Sequence, residues 1–391
     1  MVSAVAPKSA PALHREAYQL AVDARDARFD GVFYVGITTT RVYCRPCCPS
    51  RMAYHQHRRF FDSAAAAERA GFRPCLRCRP ELAPGRGATA LAAVPRLAQL
   101  ATQRIAAGAL NGHSVADLAA QLGVSERHLR RSLVREVRVS PLDLARTHRL
   151  LLAKRLLVDT DLPVTRVAYA SGFQSLRRFN AVFRDQYRMQ PSALRRNRPA
   201  RPSAPDGSLR LTLSYRRPLA WEALINSLPQ EGTVAIEGHS GILSVDNSPA
   251  DEHVVVHIGE SLLPVLMPLI AGLRRVFDLD AEPAVIDAHL SAGGLESLVA
   301  RWPGVRLPGK LETLEGAQPD AFNANRRSLQ RAAGAQSARE LLAMSERWRP
   351  WRAYAAQLLR LSVDSLPFIP TSPRSRSRLR PTGPIIALGI P

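Results

Sequence analysis

All five cysteines of this 391-residue chain fall between positions 44 and 78. Four of them, Cys44, Cys48, Cys75 and Cys78, form the pattern C-x3-C-x26-C-x2-C. Two close pairs on turn-rich segments, Tyr43–Pro49 and Arg73–Pro80, allow four thiolates to surround one tetrahedral Zn²⁺ at about 2.3 Å each. Cys47, beside Cys48, makes a C-x2-C arrangement geometrically possible as well. The spacing alone suits a purely structural zinc knuckle as well as a reactive thiolate centre. Five clustered cysteines are too few and too local for a disulfide framework, which points to a reducing compartment where such clusters hold metal. Arg45, Arg51, Arg73 and Arg77 flank the cysteines; they can offset thiolate charge and hold phosphates.

The elements that position this chemistry sit in a strongly basic chain. Lys+Arg is 54 against 33 Asp+Glu, a formal net charge of +21. Such a surplus attracts polyanions. No run of 18 or more apolar residues occurs, so a spanning helix is not expected. No secretory signal pattern opens the chain, and a cytoplasmic, nucleoid-associated location is the expectation. A hydrophobic fraction of 46% is sufficient for packed cores.

Two segments repeat one pattern. Ser114–Ser125 leads into Arg127–Val137, and Val164–Ser175 leads into Arg177–Tyr187. Apolar positions 115, 118, 119 and 122 follow the i, i+3, i+4, i+7 rule. The turn glycines, Gly123 and Gly172, are 172 − 123 = 49 residues apart. Each copy reads as a helix-turn-helix whose second helix enters a major groove, with a long helix near Asp143–Val158 as spacer. Residues 121–198 carry 17 Lys+Arg and 6 Asp+Glu, a local net of 17 − 6 = +11. From Leu209 the period changes to 2, with strands expected over 209–213, 233–236, 242–245 and 253–258, then helices over 261–277 and 283–301. Residues 1–12, 83–87 and 199–207 read as loose or linking, and the Pro/Arg/Ser-rich end from Leu366 as an unfolded basic tail.

Three resemblances sharpen these expectations. Phe33–Arg51 (FYVGITTTRVYCRPCCPSR) and Ala70–Pro80 (AGFRPCLRCRP) resemble the zinc domain of Ada-type alkylation-response proteins over residues 14–82. The resemblance implies that Cys44 accepts a methyl group from a DNA methylphosphotriester, once per chain. It further implies that Cys48, Cys75 and Cys78 complete the zinc site, and that Cys47 is not a ligand. Methylation would move a Zn²⁺ with four thiolates from −2 to −1, turning repair into a binding switch. Residues 92–197, above all Phe173–Pro191, resemble the AraC-type DNA-binding domain. Arg127, His128, Arg131, Arg177, Arg178 and Asn180 are the base-reading candidates carried over.

Residues 209–309 resemble the N-terminal domain of AlkA-type 3-methyladenine DNA glycosylases, through Leu209–Tyr215, Pro218–Trp221, Leu273–Asp280 and Gly304–Gly309. The family's catalytic half should follow Gly309, with a helix-hairpin-helix turn. Instead Leu307-Pro308-Gly309 runs into Lys310-Leu311-Glu312, and family-like text resumes at Pro319–Phe322 and Glu346–Tyr354. Asn325 and Arg326 stand where the essential aspartate belongs, and Arg360 near where an aromatic is expected. A cation there would oppose the developing positive charge. No Pro-Cys-His-Arg string occurs, so an O6-methylguanine transferase centre is absent. A shortened glycosylase half is expected to expose apolar surface.

The resulting expectation is a multidomain α+β chain. It comprises a small zinc-bound α/β domain over 1–84, an all-α double helix-turn-helix domain over 91–197, and an α+β AlkA N-terminal-like domain over 207–309. A partial helical remnant over 310–365 and a tail over 366–391 follow. The cofactor is Zn²⁺, with no other cofactor-binding residues. The partners are double-stranded DNA and RNA polymerase, with no membrane. The competing readings are a DNA-3-methyladenine glycosylase II and a zinc-containing transcription factor without methyl transfer.

Overall fold

A computed structural model describes residues 12–85, 95–196, 208–246 and 253–364. The expected loose start before position 12, the linker residues 86–87, the linker 199–207 and the tail from Leu366 lie outside the described residues.

Helix α1 (Ala12–Asp23) precedes a four-stranded sheet of β1 (Tyr34–Ile37), β2 (Val42–Cys44), β3 (Arg58–Phe61) and β4 (Arg73–Pro74), in the order β3-β1-β2-β4. Helix α2 (Ala64–Arg69) links β3 to β4 and is capped by the Ser63 side chain. Val35 and Ile37 alternate onto a face buried with Phe33, while Tyr18 stacks on Phe33 at 4.0 Å between ring centroids.

The helical unit follows the repeat. Helix α3 (Arg96–Ala106) packs on the first copy, α4 (Val115–Gln121) and α5 (Glu126–Glu136); the second copy is α7 (Val164–Ala170) and α8 (Leu176–Tyr187), closed by α9 (Pro191–Arg196). Ser114 with Asp117 forms a capping box on α4, and the Ser125 and Ser175 hydroxyls cap α5 and α8. Gly123 and Gly172 sit at φ 68° and 87°, the left-handed region the tight turns require and side chains disfavour. Spacer helix α6 (Pro141–Asp159) buries Leu144, Leu150, Leu152, Leu156 and Leu157 together with Thr147, Lys154 and Arg155. A helix buried on all sides needs neighbours on all sides. The cysteine-bearing domain covers one flank and the third domain another.

That first contact contains a buried carboxyl. Glu68 of α2 accepts from Tyr43 Oη at 3.0 Å and from Thr147 Oγ1 of α6 at 2.6 Å. Burial pushes Glu68 up from its ordinary 4.5 to about 7, against the pull of Thr147 and Tyr43. The fold therefore holds this proton longer than the unfolded chain. The stabilisation is full below 4.5 and is lost as pH rises through about 7. At one pH unit per 1.36 kcal/mol, the ionised form costs roughly 3–4 kcal/mol. Glu68→Gln should therefore gain about that much over wild type at pH 8 and nothing at pH 4–5. Denaturant midpoints of both proteins across that range, in excess zinc, check it; parallel pH curves would sink the assignment.

The third domain is an antiparallel sheet in the order β5-β8-β7-β6, from β5 (Leu209–Ser214), β6 (Glu231–Ile236), β7 (His239–Val245) and β8 (His253–Ile258). The short helix α10 (Trp221–Ile225) precedes β6, and α11 (Leu266–Val276) follows a short 3₁₀ turn. Its core is continuous with that of the second helix-turn-helix copy: Leu156, Phe179 and Phe183 belong to one buried cluster with Leu211, Val256 and Leu273.

The remnant differs from expectation. Helices α12 (Pro283–Leu290), α13 (Glu296–Arg301), α14 (Arg327–Ala332), α15 (Ala338–Ser345) and α16 (Arg352–Asp364) close around a separate core. Trp348, Leu358 and Leu359 are buried there with Ile286 and Leu290. Much of the apolar surface expected to be exposed is buried against helix 283–290, while Val285 and Leu342 stay exposed.

Candidate metal centre and nucleic-acid interface

Strand register brings the cysteines together. β2 ends at Cys44, antiparallel to β1, and β4 runs parallel to β2 with Tyr43 opposite Pro74. The Cys75 N–H donates to the Tyr43 carbonyl at 2.9 Å, placing the second pair of cysteines beside the first. The sulfurs of Cys44, Cys48, Cys75 and Cys78 all lie within 4.8 Å of one another, and all four residues are buried. A tetrahedral Zn²⁺ with 2.3 Å bonds separates its sulfurs by about 3.8 Å, so this cluster fits the ion with little adjustment. Hydrogen bonding from Cys48, Cys75 and Cys78, then burial, pushes Cys44 far above the usual thiol range, while Cys44 and its neighbours pull Cys75 down. Four buried sulfurs that cannot all shed protons are matched by a dication that replaces those protons. Zinc is the cofactor these residues fit. Cys47 stands outside the cluster, half-buried.

Backbone N–H groups are directed at three of the four sulfurs. Arg45 N donates to Cys78 Sγ at 3.3 Å and Arg77 N to Cys75 Sγ at 3.4 Å, and Ser50 supplies a backbone hydrogen bond to Cys48.

The flanking arginines divide. Arg51 and Arg77 are exposed and Arg73 is half-buried. Arg45 departs from the expected phosphate-holding role. Its Nε donates to both oxygens of buried Asp30 at 2.8 and 2.9 Å, and its Nη1 to the Cys78 carbonyl at 3.2 Å. Burial pulls Arg45 down and Asp30 more than reverses it. A carboxylate taken out of water demands such a partner, and it has turned Arg45 inward.

Two residues that the sequence reading passed over support the site from α6. Lys154 Nζ donates to the Cys75 carbonyl at 3.0 Å and pairs with buried Glu81. Arg79 grips Asp159 through two bonds of 2.8 and 2.7 Å. A signal existed: Lys154-Arg155 interrupts the apolar run from Leu150 to Leu157, and charges within a buried stripe require partners.

Helices α5 and α8 carry most of the candidates on exposed positions. Arg127, His128 and Arg131 on α5 are exposed, with Arg127, Arg130 and Arg131 lining one shallow groove. On α8 Arg177 and Arg178 are exposed and Asn180 is half-buried; Arg177, Asn180 and Arg184 line a second groove. In the remnant, Asn325 and Arg326 are exposed on a loop before α14. The neighbouring carboxylate, Asp320, is held by Arg349 Nη1 at 2.7 Å and Arg352 Nε at 2.8 Å.

Comparison with known proteins agrees with this layout. Residues 17–81 match the metal binding domain of Ada, residues 118–197 a helix-turn-helix domain, and residues 229–312 the AlkA N-terminal domain. A Mycobacterium tuberculosis protein described as a probable bifunctional transcriptional activator/DNA repair enzyme AlkA is 37% identical over 315 residues, covering 76% of this chain. The chain spans 63% of that relative's length. The bifunctional transcriptional activator/DNA repair enzyme Ada of Escherichia coli is 47% identical over 60 residues, 15% of this chain and 17% of that protein. The solved DNA methyl phosphotriester repair domain of E. coli Ada aligns at 40% identity over 19% of this chain and 80% of that one, with a TM-score of 0.17. Among the described residues no helix is long and apolar enough to cross a membrane. The chain thus joins an Ada-type metal-binding domain, an AraC-type helix-turn-helix domain and an AlkA N-terminal domain, in that order.

Proposed function

We propose that this protein repairs methylphosphotriesters in DNA by taking the methyl group onto Cys44 and, so modified, regulates transcription. The supporting observation is the gathering of four buried sulfurs, Cys44, Cys48, Cys75 and Cys78, within 4.8 Å of one another, in a segment that matches the metal binding domain of Ada. When bound, zinc keeps the thiolates deprotonated at neutral pH. The Cys44 sulfur attacks the methyl carbon in line with the phosphate oxygen. A new S–C bond forms, the C–O bond breaks, and its electron pair leaves with a phosphodiester anion. The product is a thioether that nothing in the chain reverses, so each chain acts once. Cys44, Cys48, Cys75 and Cys78 hold the ion; Arg51, Arg73 and Arg77 face the phosphates.

Regulation falls to helices α5 and α8, with Arg127, His128, Arg131, Arg177, Arg178 and Asn180 as base readers. RNA polymerase is the inferred downstream partner, and the cytoplasm with its nucleoid the inferred location. Arg177→Ala or Arg178→Ala should weaken operator binding by about 1–3 kcal/mol where a bidentate base contact is lost. Loss of a base contact relaxes sequence preference, whereas loss of a phosphate contact weakens every sequence alike. Binding isotherms on operator and scrambled DNA at two salt concentrations separate these outcomes. If neither variant changes affinity or preference, α8 does not read a groove.

The rival reading, removal of alkylated bases, lacks support in the remnant. Asn325 and Arg326 supply no carboxylate, and Asp320 is already paired with two arginines. One experiment tests both readings. The zinc-loaded protein is incubated with methylated DNA, its peptides are mapped by mass spectrometry, and free bases are assayed. One methyl on the Cys44 peptide and no released 3-methyladenine is the expected result. A methyl elsewhere, or free base above a no-protein control, overturns the corresponding part.

A further inference from the structure

The AlkA N-terminal-like domain makes a polar contact with the zinc domain. One of its buried charges reaches across to that domain. Arg216, at the end of β5, is 7% exposed. Its Nη2 donates to the Asp30 carbonyl at 3.1 Å and to the Gly85 carbonyl at 2.6 Å. Arg306, 1% exposed, donates to the Arg216 carbonyl at 2.7 Å and fixes it from behind. The surfaces meet without slack: a Cβ on Gly85 would stand 2.2 Å from Asp280 Oδ1. Burying a guanidinium is expensive, and its carbonyl partners on the other domain make the placement specific.

From Asp30 the connection continues inward. The same residue holds Arg45 through its carboxylate, and Arg45 in turn donates to the Cys78 carbonyl and, through its backbone N–H, to Cys78 Sγ. We propose that Arg216 is a positioning residue for the thiolate centre, acting through Asp30 and Arg45, and that the AlkA-type domain serves this protein as a brace for its methyl-accepting site. The inference rests on the reading of Cys44 as methyl acceptor only for its catalytic consequence; the effect on the metal site stands apart from it. The brace holds the Asp30 turn, the turn holds Arg45, and Arg45 sets the direction of the Cys78 lone pairs.

The test uses the full chain with Arg216→Ala, Arg216→Gln and Arg216→Lys. Groups that orient metal ligands typically change metal affinity 10–100-fold when removed. Arg216 acts one contact further out, so a chelator should strip zinc from Arg216→Ala about 10-fold faster than from wild type. The thiolate-to-metal absorption of the cobalt-loaded protein should shift, and methyl transfer should slow by a similar factor. Arg216→Lys, which keeps one donor, should return most of each effect; Arg216→Gln carries the comparison if Arg216→Ala does not fold. Leu243→Ala, a cavity in the third domain's sheet, is the control for general loosening. Wild-type chelation rates and cobalt spectra in the Arg216 variants overturn the proposal, as does an equal shift in Leu243→Ala. If wild type takes no methyl at all, the catalytic reading fails, while the chelation and cobalt results still decide the brace.

Discussion

Wild-type protein exposed to methylphosphotriester DNA should end with one methyl on Cys44 and an operator affinity one to two orders of magnitude higher, whereas Cys44→Ala should gain neither. The affinity gain follows from charge. With Zn²⁺ bound, a four-thiolate site would carry −2 and would become −1 if Cys44 were methylated, which under the proposed function would weaken its repulsion from phosphates. At about 5–10 Å and an effective dielectric of ~20–80, one unit charge changes its interaction with one phosphate by roughly 0.4–3 kcal/mol. Several phosphates act together, and salt screens them all, so the gain should shrink as ionic strength rises. Titrations of methylated and unmethylated protein at low and high salt measure this. Methyl transfer mapped to another residue would end the mechanism. Transfer to Cys44 with unchanged affinity at low salt would end only the switch.

Removing the metal should have the larger structural effect. The four cysteines are part of the buried cluster that contains Ala21, Val22, Phe33, Val35 and Ile37. Structural Zn²⁺ contributes about 10–16 kcal/mol of apparent binding free energy in small zinc domains. That equals or exceeds the roughly 5–15 kcal/mol by which whole domains are stable. A Cys75→Ser, Cys78→Ser double variant should therefore lose zinc and the order of residues 12–82. The helical unit should remain folded, though with Lys154 deprived of its Cys75 carbonyl. Metal analysis with hydrogen exchange reads both effects. Stoichiometric zinc in the double variant would contradict the ligand set, and Cys47→Ser should leave zinc content unchanged.

Much of this architecture was legible because it is local. Leu209, Leu211 and Leu213 alternate with Arg210 and Thr212, and those leucines are buried while Arg210 is exposed. Gly123 and Gly172 mark duplicated turns whose positive φ is met in both copies. The sulfur spacing needed only two turns and one parallel strand pair to become a cluster. What escaped is non-local. Lys154 meets Glu81 across 73 residues of sequence, and Arg216 meets Asp30 across 186. No period or spacing encodes such pairs. Arg45 was misread for the same reason: its type and position suit a phosphate, and only the fold reveals that Asp30 lies closer. The remnant misled differently. Missing family text implied a missing core, yet Trp348 and Leu358 found Ile286 and Leu290.

The single buried cluster that joins residues between Leu150 and Leu194 to residues between Leu209 and Leu279, with Leu311 and Leu314, bears on modularity. The sequence places a linker at 199–207, where a gene could be cut and rejoined. The described residues on either side of it share one buried core. An exchange of the third domain by recombination would strip apolar partners from the second DNA-reading copy, and a substitute would have to supply matching side chains at once. The regulator and its glycosylase-like partner are thus separable as text but heritable only as a unit.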